Sequence, residues 1–153
     1  MGSYKNLVFM TLIAHRGNIC KPIPKSENKP IYIDEALNLG YDVEVDIRYD
    51  KGWWLGHDDA QYRVTLGWLR KRKSKLWLHC KNFNALSKLS KLENYNFFWH
   101  QEDNYTITSQ GVVWVYPNKE LIDGCICVLP ELGFNGKLNK CRGVCSDFIV
   151  HYR

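Results

Sequence analysis

The sequence predicts an α/β fold, and three observations carry the prediction. Apolar β-type runs alternate with amphipathic helical segments through the first half of the chain. Further β-type runs come in the second half with little helix between them. Ionisable residues recur at the ends of these runs, in Ala14-His15-Arg16-Gly17, Glu44-Val45-Asp46, Gly56-His57-Asp58 and His79-Cys80-Lys81. A packed core has no use for so many ionisable groups, because burying each one unpaired is costly.

Leu7–Ala14 is a continuous apolar run, the pattern of a strand buried on both faces. The stretch Lys21–Pro30, rich in Pro and Lys, is a loop, and a short helix over Ile33–Leu39 stops at Gly40. Asp42–Arg48 alternates in character and reads as a second strand, and Trp53–Gly56 as an extension or turn leading into His57. Val64–Lys73 reads as a helix and Leu76–Cys80 as a third strand. Ala85–Leu92, with Leu86, Leu89 and Leu92 spaced among lysines, is an amphipathic surface helix. Phe97–His100 is a fourth strand. Tyr105–Thr108, Val112–Tyr116, Cys125–Leu129 and Val144–Val150 are β-rich, so the outer layer is expected to be thin in the second half.

At 153 residues, 45% of them hydrophobic, the chain is expected to fold as one domain over 1–153 rather than stay disordered. A formal charge of +5 favours anionic partners without choosing among them. Much of it comes from Arg70-Lys71-Arg72-Lys73 with Lys75, which reads as the solvated face of a helix. The run Leu7–Ala14 is too short to span a bilayer, which needs about 20 residues, and it lacks a signal-peptide cleavage pattern. Gly2 invites a myristoylation reading, but Asn6 stands where Ser or Thr is required. No transmembrane segment is expected. The six cysteines include Cys125, Cys127, Cys141 and Cys145, which could be drawn as a zinc site, yet neither spacing is the usual one. Reduced thiols inside strands are the preferred reading, with a reducing, cytoplasmic location.

On a strand, residues two apart share a face, so Glu44 and Asp46 point the same way, as do His79 and Lys81. Adjacent carboxylates persist most readily with a cation between them, and oxygen ligation suits Mg²⁺ or Ca²⁺. His15 and His57 are natural proton carriers near neutral pH. Arg16 offers a planar donor fork for phosphate oxygens and Lys81 a point charge. Asp58 could orient an imidazole.

These residues, taken together, resemble the glycerophosphodiester phosphodiesterase family, within the wider group of phospholipase-C-like phosphodiesterases. The family pattern reads here as His15-Arg16-Gly17, Glu27-Asn28, Ala36, Glu44-Val45-Asp46 and His57-Asp58, in order and at similar spacing. In the second half only Cys145-Ser146-Asp147 is similar, to the family's closing strand. The resemblance implies a TIM-barrel-type (β/α) barrel, here shortened with helices missing in the second half, since such barrels typically need ~250 residues. It also implies a divalent metal and cleavage of a glycerophosphodiester-type or related phosphodiester, small or lipid-derived.

The implied roles are His15 and His57 as catalytic acid and base, Arg16 and Lys81 on the substrate phosphate, and Glu44 and Asp46 on the metal. The family's third strand usually carries an acidic residue where His79 stands. Either His79 replaces it as the third ligand or the metal site is incomplete, and a nitrogen ligand moves preference toward Mn²⁺. Asp58, Glu27 and His100 are further candidates, His100 because it too ends a strand. The alternative reading is a non-catalytic basic module that binds a phosphorylated ligand or nucleic acid through Arg70–Lys75. Two imidazoles beside two carboxylates favour the enzyme, for which a nucleic-acid partner is not expected.

Overall fold

The computed structural model describes residues 9–153. Leu7 and Val8 of the first predicted strand, with Gly2 and Asn6, lie outside them. Ten strands form one mixed sheet: β1 (Thr11–His15), β2 (Asp42–Tyr49), β3 (Trp53–Leu55), β4 (Tyr62–Val64), β5 (Leu76–Cys80), β6 (Asn96–Trp99), β7 (Tyr105–Ile107), β8 (Val113–Val115), β9 (Ile126–Val128) and β10 (Gly143–Ser146). Three short helices accompany them: α1 (Pro30–Asn38), α2 (Leu66–Arg72) and α3 (Phe83–Leu89). No helix of the described residues is long and apolar enough to cross a membrane.

Seven strands run parallel in the order β6-β5-β2-β1-β10-β9-β8, and β7 pairs antiparallel with β8. The far end of β2 (Ile47–Tyr49) turns into an antiparallel ribbon with β3, which pairs in turn with β4. The sheet curls. Ile13, Trp77, Phe98, Trp114, Ile126 and Cys145, from six strands, meet in one buried cluster on its inner face. The outermost strands, β6 and β7, are stitched by isolated hydrogen bonds rather than by a ladder. Ser109 N–H donates to Phe97 O (2.8 Å), the Ser109 hydroxyl to Tyr95 O (2.9 Å) and the Thr106 hydroxyl to Trp99 O (2.9 Å).

This architecture overturns the expected TIM-type (β/α) barrel. The sheet is mixed and strand-dominated, and the three α-helices, all short, end by Leu89. The physical reason lies in the connections. A parallel crossover normally spends a dozen or more residues, usually as a helix. The turn 108–112 between β7 and β8 is too short for that, so the two strands pair as a hairpin. The segment 116–125 before β9 is a loop that lays Leu121 against Val115, Cys125 and Cys127 in place of a helix. The ribbon also departs from the sequence pattern: Val64 ends β4 instead of starting a helix, and α2 begins at Leu66. The Thr65 side chain caps it, accepting from Trp68 N (3.0 Å). Helix α1 starts earlier than predicted, with Pro30 in its first turn, where the missing N–H costs nothing.

Strand alternation on β2 decides where the acidic side chains go. Val43, Val45 and Ile47 point outward and bury against Ile33, Ala36, Leu78 and Leu89, which sends Glu44 and Asp46 to the inner face. Phe98 joins the inner core to that polar end, its ring 4.7 Å from Trp114 and 4.9 Å from His79. Replacing Phe98 with Ala is expected to cost about 3–5 kcal/mol of stability, read from the midpoint of a denaturant titration. Phe83→Ala, at a side chain left 73% exposed, should move that midpoint little.

Candidate functional site

At the carboxyl ends of the parallel strands a cavity of about 320 Å³ opens, lined by His15, Arg16, Glu44, His57, His79, Lys81 and His100 on one side. Trp114, Tyr116, Val128, Leu129 and Leu132 line the other.

The chain leaves β1 at His15 through a strained turn, with Arg16 at φ 53° and Gly17 at φ 87°. A Cβ on Gly17 would come within 2.8 Å of the Tyr32 ring. Arg16 N–H donates to Glu44 O (3.0 Å) and Asn28 N–H to Arg16 O (3.1 Å), so the turn is tied to β2 and to the loop beyond it. Asn28 completes the tie. Its amide donates to Asp46 Oδ2 (2.8 Å) and its carbonyl oxygen accepts from Asp46 N–H (3.0 Å). Arg16 Nε lies 3.0 Å from Asp46 Oδ2, close but misaligned for a hydrogen bond, so that contact is Coulombic. Another guanidinium nitrogen donates to Glu27 (3.2 Å). These acids hold the Arg16 pKa up against burial, which would lower it.

His15 is held from the opposite side. Its Nδ1 lies 2.7 Å from Asp147 Oδ1, which also accepts from Asn18 (2.8 Å). Its Nε2 faces Glu44 Oε2 at 3.7 Å. Burial would lower the His15 pKa, but the Asp147 hydrogen bond and the charge of Glu44 outweigh it and raise it. Asp147 is lowered, the His15 hydrogen bond overcoming its own burial. Glu131 supports this strand end, accepting from Asp147 N–H (2.8 Å) and from the Ser146 hydroxyl (3.0 Å).

His79 closes the centre. Its Nε2 lies 2.9 Å from His100 O; a carbonyl can only accept, so Nε2 carries the proton. Nδ1 then faces Glu44 Oε1 at 3.6 Å and Asp46 Oδ1 at 3.5 Å. One ligand atom from each of Glu44, Asp46 and His79 falls within 4.8 Å of the others. Glu44 Oε2 and Asp46 Oδ1 are buried without a hydrogen-bond partner. Burial alone would raise the Glu44 carboxyl, yet His79, His15 and Arg16 carry it down to about 2. Carboxylate and imidazole lone pairs therefore face one another, an arrangement that is costly unless a proton or a cation lies between them. Glu27, Glu44, Asp46 and Asp147 surround Arg16 and His15, so acids outnumber bases at this centre.

His57 sits half-exposed at the cavity rim, its Nδ1 2.7 Å from Asp58, which is 88% exposed and has its pKa lowered by that hydrogen bond. Arg48 anchors this turn by donating to Gly56 O (3.1 Å) and His57 O (2.5 Å). Gly56 is obligatory there, at φ 148° with Asp59 O only 2.0 Å from where a Cβ would stand. Lys81 lines the cavity. His100 donates from Nε2 to Asp103 O (2.7 Å) and stacks on Tyr116 at 5.2 Å, and burial lowers its pKa. Glu27 touches Arg16 and Asn18 behind the cavity. Arg16 itself is largely occupied by acids, which leaves Lys81 the less encumbered cation. Sequence patterns alone do not single out Asn18, Arg48 or Glu131, nor do they give Asp147 a role. Asn18 adjoins His15-Arg16-Gly17 and Asp147 ends the segment Cys145-Ser146-Asp147; Arg48 and Glu131 carry no such signal. The four cysteines of the alternative zinc site do not converge, because Cys125, Cys127 and Cys141 pack together outside the sheet while Cys145 faces the inner core.

No family model matches the chain, and neither does a curated protein or a solved structure.

Asn28→Ala would strand two buried groups of Asp46 and is expected to cost about 2–4 kcal/mol in thermal or denaturant unfolding. Acid unfolding reads the Glu44 environment. A carboxyl depressed to about 2 stabilises the fold above its unfolded value near 4.5, and that contribution is lost as pH falls through the window between them. With chelator present, Glu44→Gln should flatten the stability profile across this window; an unchanged slope would contradict the assignment.

Proposed function

We propose that the protein is a metal-dependent phosphodiesterase, acting on a glycerophosphodiester-type or related diester, small or lipid-derived. The observation that carries the reading is that Glu44, Asp46 and His79 bring ligand atoms within 4.8 Å of one another beside a cavity lined by His15, His57 and Lys81. Two orphaned carboxylate oxygens and an imidazole lone pair fit a divalent ion. The mixed donor set leaves Mg²⁺, Ca²⁺ and Mn²⁺ as candidates, and the nitrogen weights the choice toward Mn²⁺. Such an ion would draw charge from the phosphate as it builds in the transition state.

The chain's own residues supply the rest. Lys81, and Arg16 so far as its ion pairs allow, hold the phosphate oxygens. One of His15 and His57 takes the proton from the attacking hydroxyl and the other returns one to the leaving oxygen. Asp147 orients His15 through Nδ1, leaving Nε2 toward the cavity, and Asp58 does the same for His57. The resemblance of the His-Arg-Gly, Glu-x-Asp and His-Asp elements supports the same chemistry. Cysteines used as core side chains suit a reducing compartment such as the cytoplasm.

A panel of phosphodiesters assayed with each metal, with chelator as control, tests the reading. His15→Ala and His57→Ala should each lower kcat by about 10²–10⁴ while leaving circular dichroism unchanged. Retained turnover in both variants would overturn the mechanism. Chelation should abolish activity, and His79→Asp should shift the metal ranking toward Mg²⁺. The same ranking in that variant would argue that His79 is not a ligand.

A further inference from the structure

The end of the sheet opposite the cavity carries a different chemistry. Four shallow hollows tile the amino-terminal ends of the strands, and each shares residues with its neighbours. The first holds Lys71 and Lys75 and meets the second at Ser74. The second holds Lys73 and Arg142 over Asn96 and Gln110. Lys75 and Thr11 join these to a third beside Phe9, and Arg142 leads to a fourth holding Lys140. Five cations from two stretches far apart in the chain thus form one continuous surface, and Arg153, which also lines the third hollow, is turned onto Leu39 O and the Tyr41 ring. Among the described residues only two acids line the four hollows, and both are engaged: Asp34 in a two-pronged pair with Arg72 (2.6 and 2.8 Å), Asp42 with Trp77 Nε1 (3.0 Å) and Lys75 (3.4 Å). Glu93 and Asp123, in the turns before β6 and β9, line none of them.

We infer that this face binds single-stranded nucleic acid, independently of the phosphodiesterase reading. A continuous run of cations matches a phosphate backbone, whose neutralisation releases counterions. The floor of the second hollow is concave and polar, with the Asn96 carboxamide oxygen buried and lacking a partner. Beside the cations Phe9 stands 86% exposed, offering a ring on which an unpaired base stacks. The basic run read from sequence as a solvated helix face is only part of this surface. Arg72 is withdrawn from it, and the fold adds Lys140 and Arg142.

Fluorescence anisotropy with a labelled short single strand, as RNA and as DNA, in chelator and across about 50–200 mM salt, tests the inference. The parent protein should bind either strand with a salt-dependent affinity. Lys73→Gln with Arg142→Gln should weaken binding at least about tenfold and reduce the log–log salt slope by about 1.4. Phe9→Ala should weaken it without changing the slope. Lys21→Gln with Lys25→Gln, equal in net charge but on the loop after β1, should leave binding intact, as should His15→Ala. Matched melting temperatures establish that the variants fold. No binding at low salt, equal loss in the Lys21/Lys25 pair, loss in His15→Ala, or tighter binding to duplex or to anionic vesicles would each overturn it.

Discussion

The Asp46 carboxylate, wholly buried on the inner face of β2, is the constraint around which the site is built. An isolated charge in that position would be far too costly to keep. Asn28 meets both its backbone N–H and one oxygen, and Arg16 brings a positive charge to the same oxygen. The loop between β1 and α1 is therefore clamped to the second strand at Asp46, beside the Arg16 N–H bond to Glu44 O. That clamp holds the turn at Arg16 and Gly17 in its left-handed conformation. It places His15 between Glu44 and Asp147.

The other Asp46 oxygen is left bare, and so is one of Glu44. Asp46 accepts a side-chain hydrogen bond from Asn28 alone, and Glu44 meets only the His15 and His79 rings, at 3.7 and 3.6 Å. His79 gains its meaning from the same geometry. With Nε2–H committed to a backbone carbonyl, Nδ1 turns to the carboxylates as a lone pair. Loop 100–103 thus acts on the centre through main-chain atoms, whatever the His100 ring does in the cavity. Beneath it, Phe98 and Trp114 fill the curl of the sheet, so the polar centre rests on packed aromatics.

Several site features are legible in the chain. Alternation on β2 puts Glu44 and Asp46 on one face, because apolar Val43, Val45 and Ile47 require the other. The His-Arg-Gly and His-Asp elements mark turns at strand ends, where side chains reach open space. The hidden features depend on partners remote in sequence. Asp147 meets His15 across most of the chain, and Arg48 supports His57 through main-chain carbonyls that no side-chain pattern reveals. The β3–β4 ribbon is hidden for another reason: three-residue strands are shorter than any reliable period, and Val64 continues a helical pattern by chance.

By itself the sequence determined local matters: where apolar runs make strands, that a short helix precedes the second strand and another the third, and which residue types bring protons and charge. Local sterics and side-chain period act within a few residues and need no partner. Tertiary structure alone decided that the sheet is mixed rather than a parallel barrel with a helical coat. It also decided that Arg16 is spent on acids, that Cys145 parts from the other three cysteines, and that basic residues from distant segments share one face. Each of these depends on which segments lie side by side once the sheet curls, a balance of loop length and burial that local patterns do not contain.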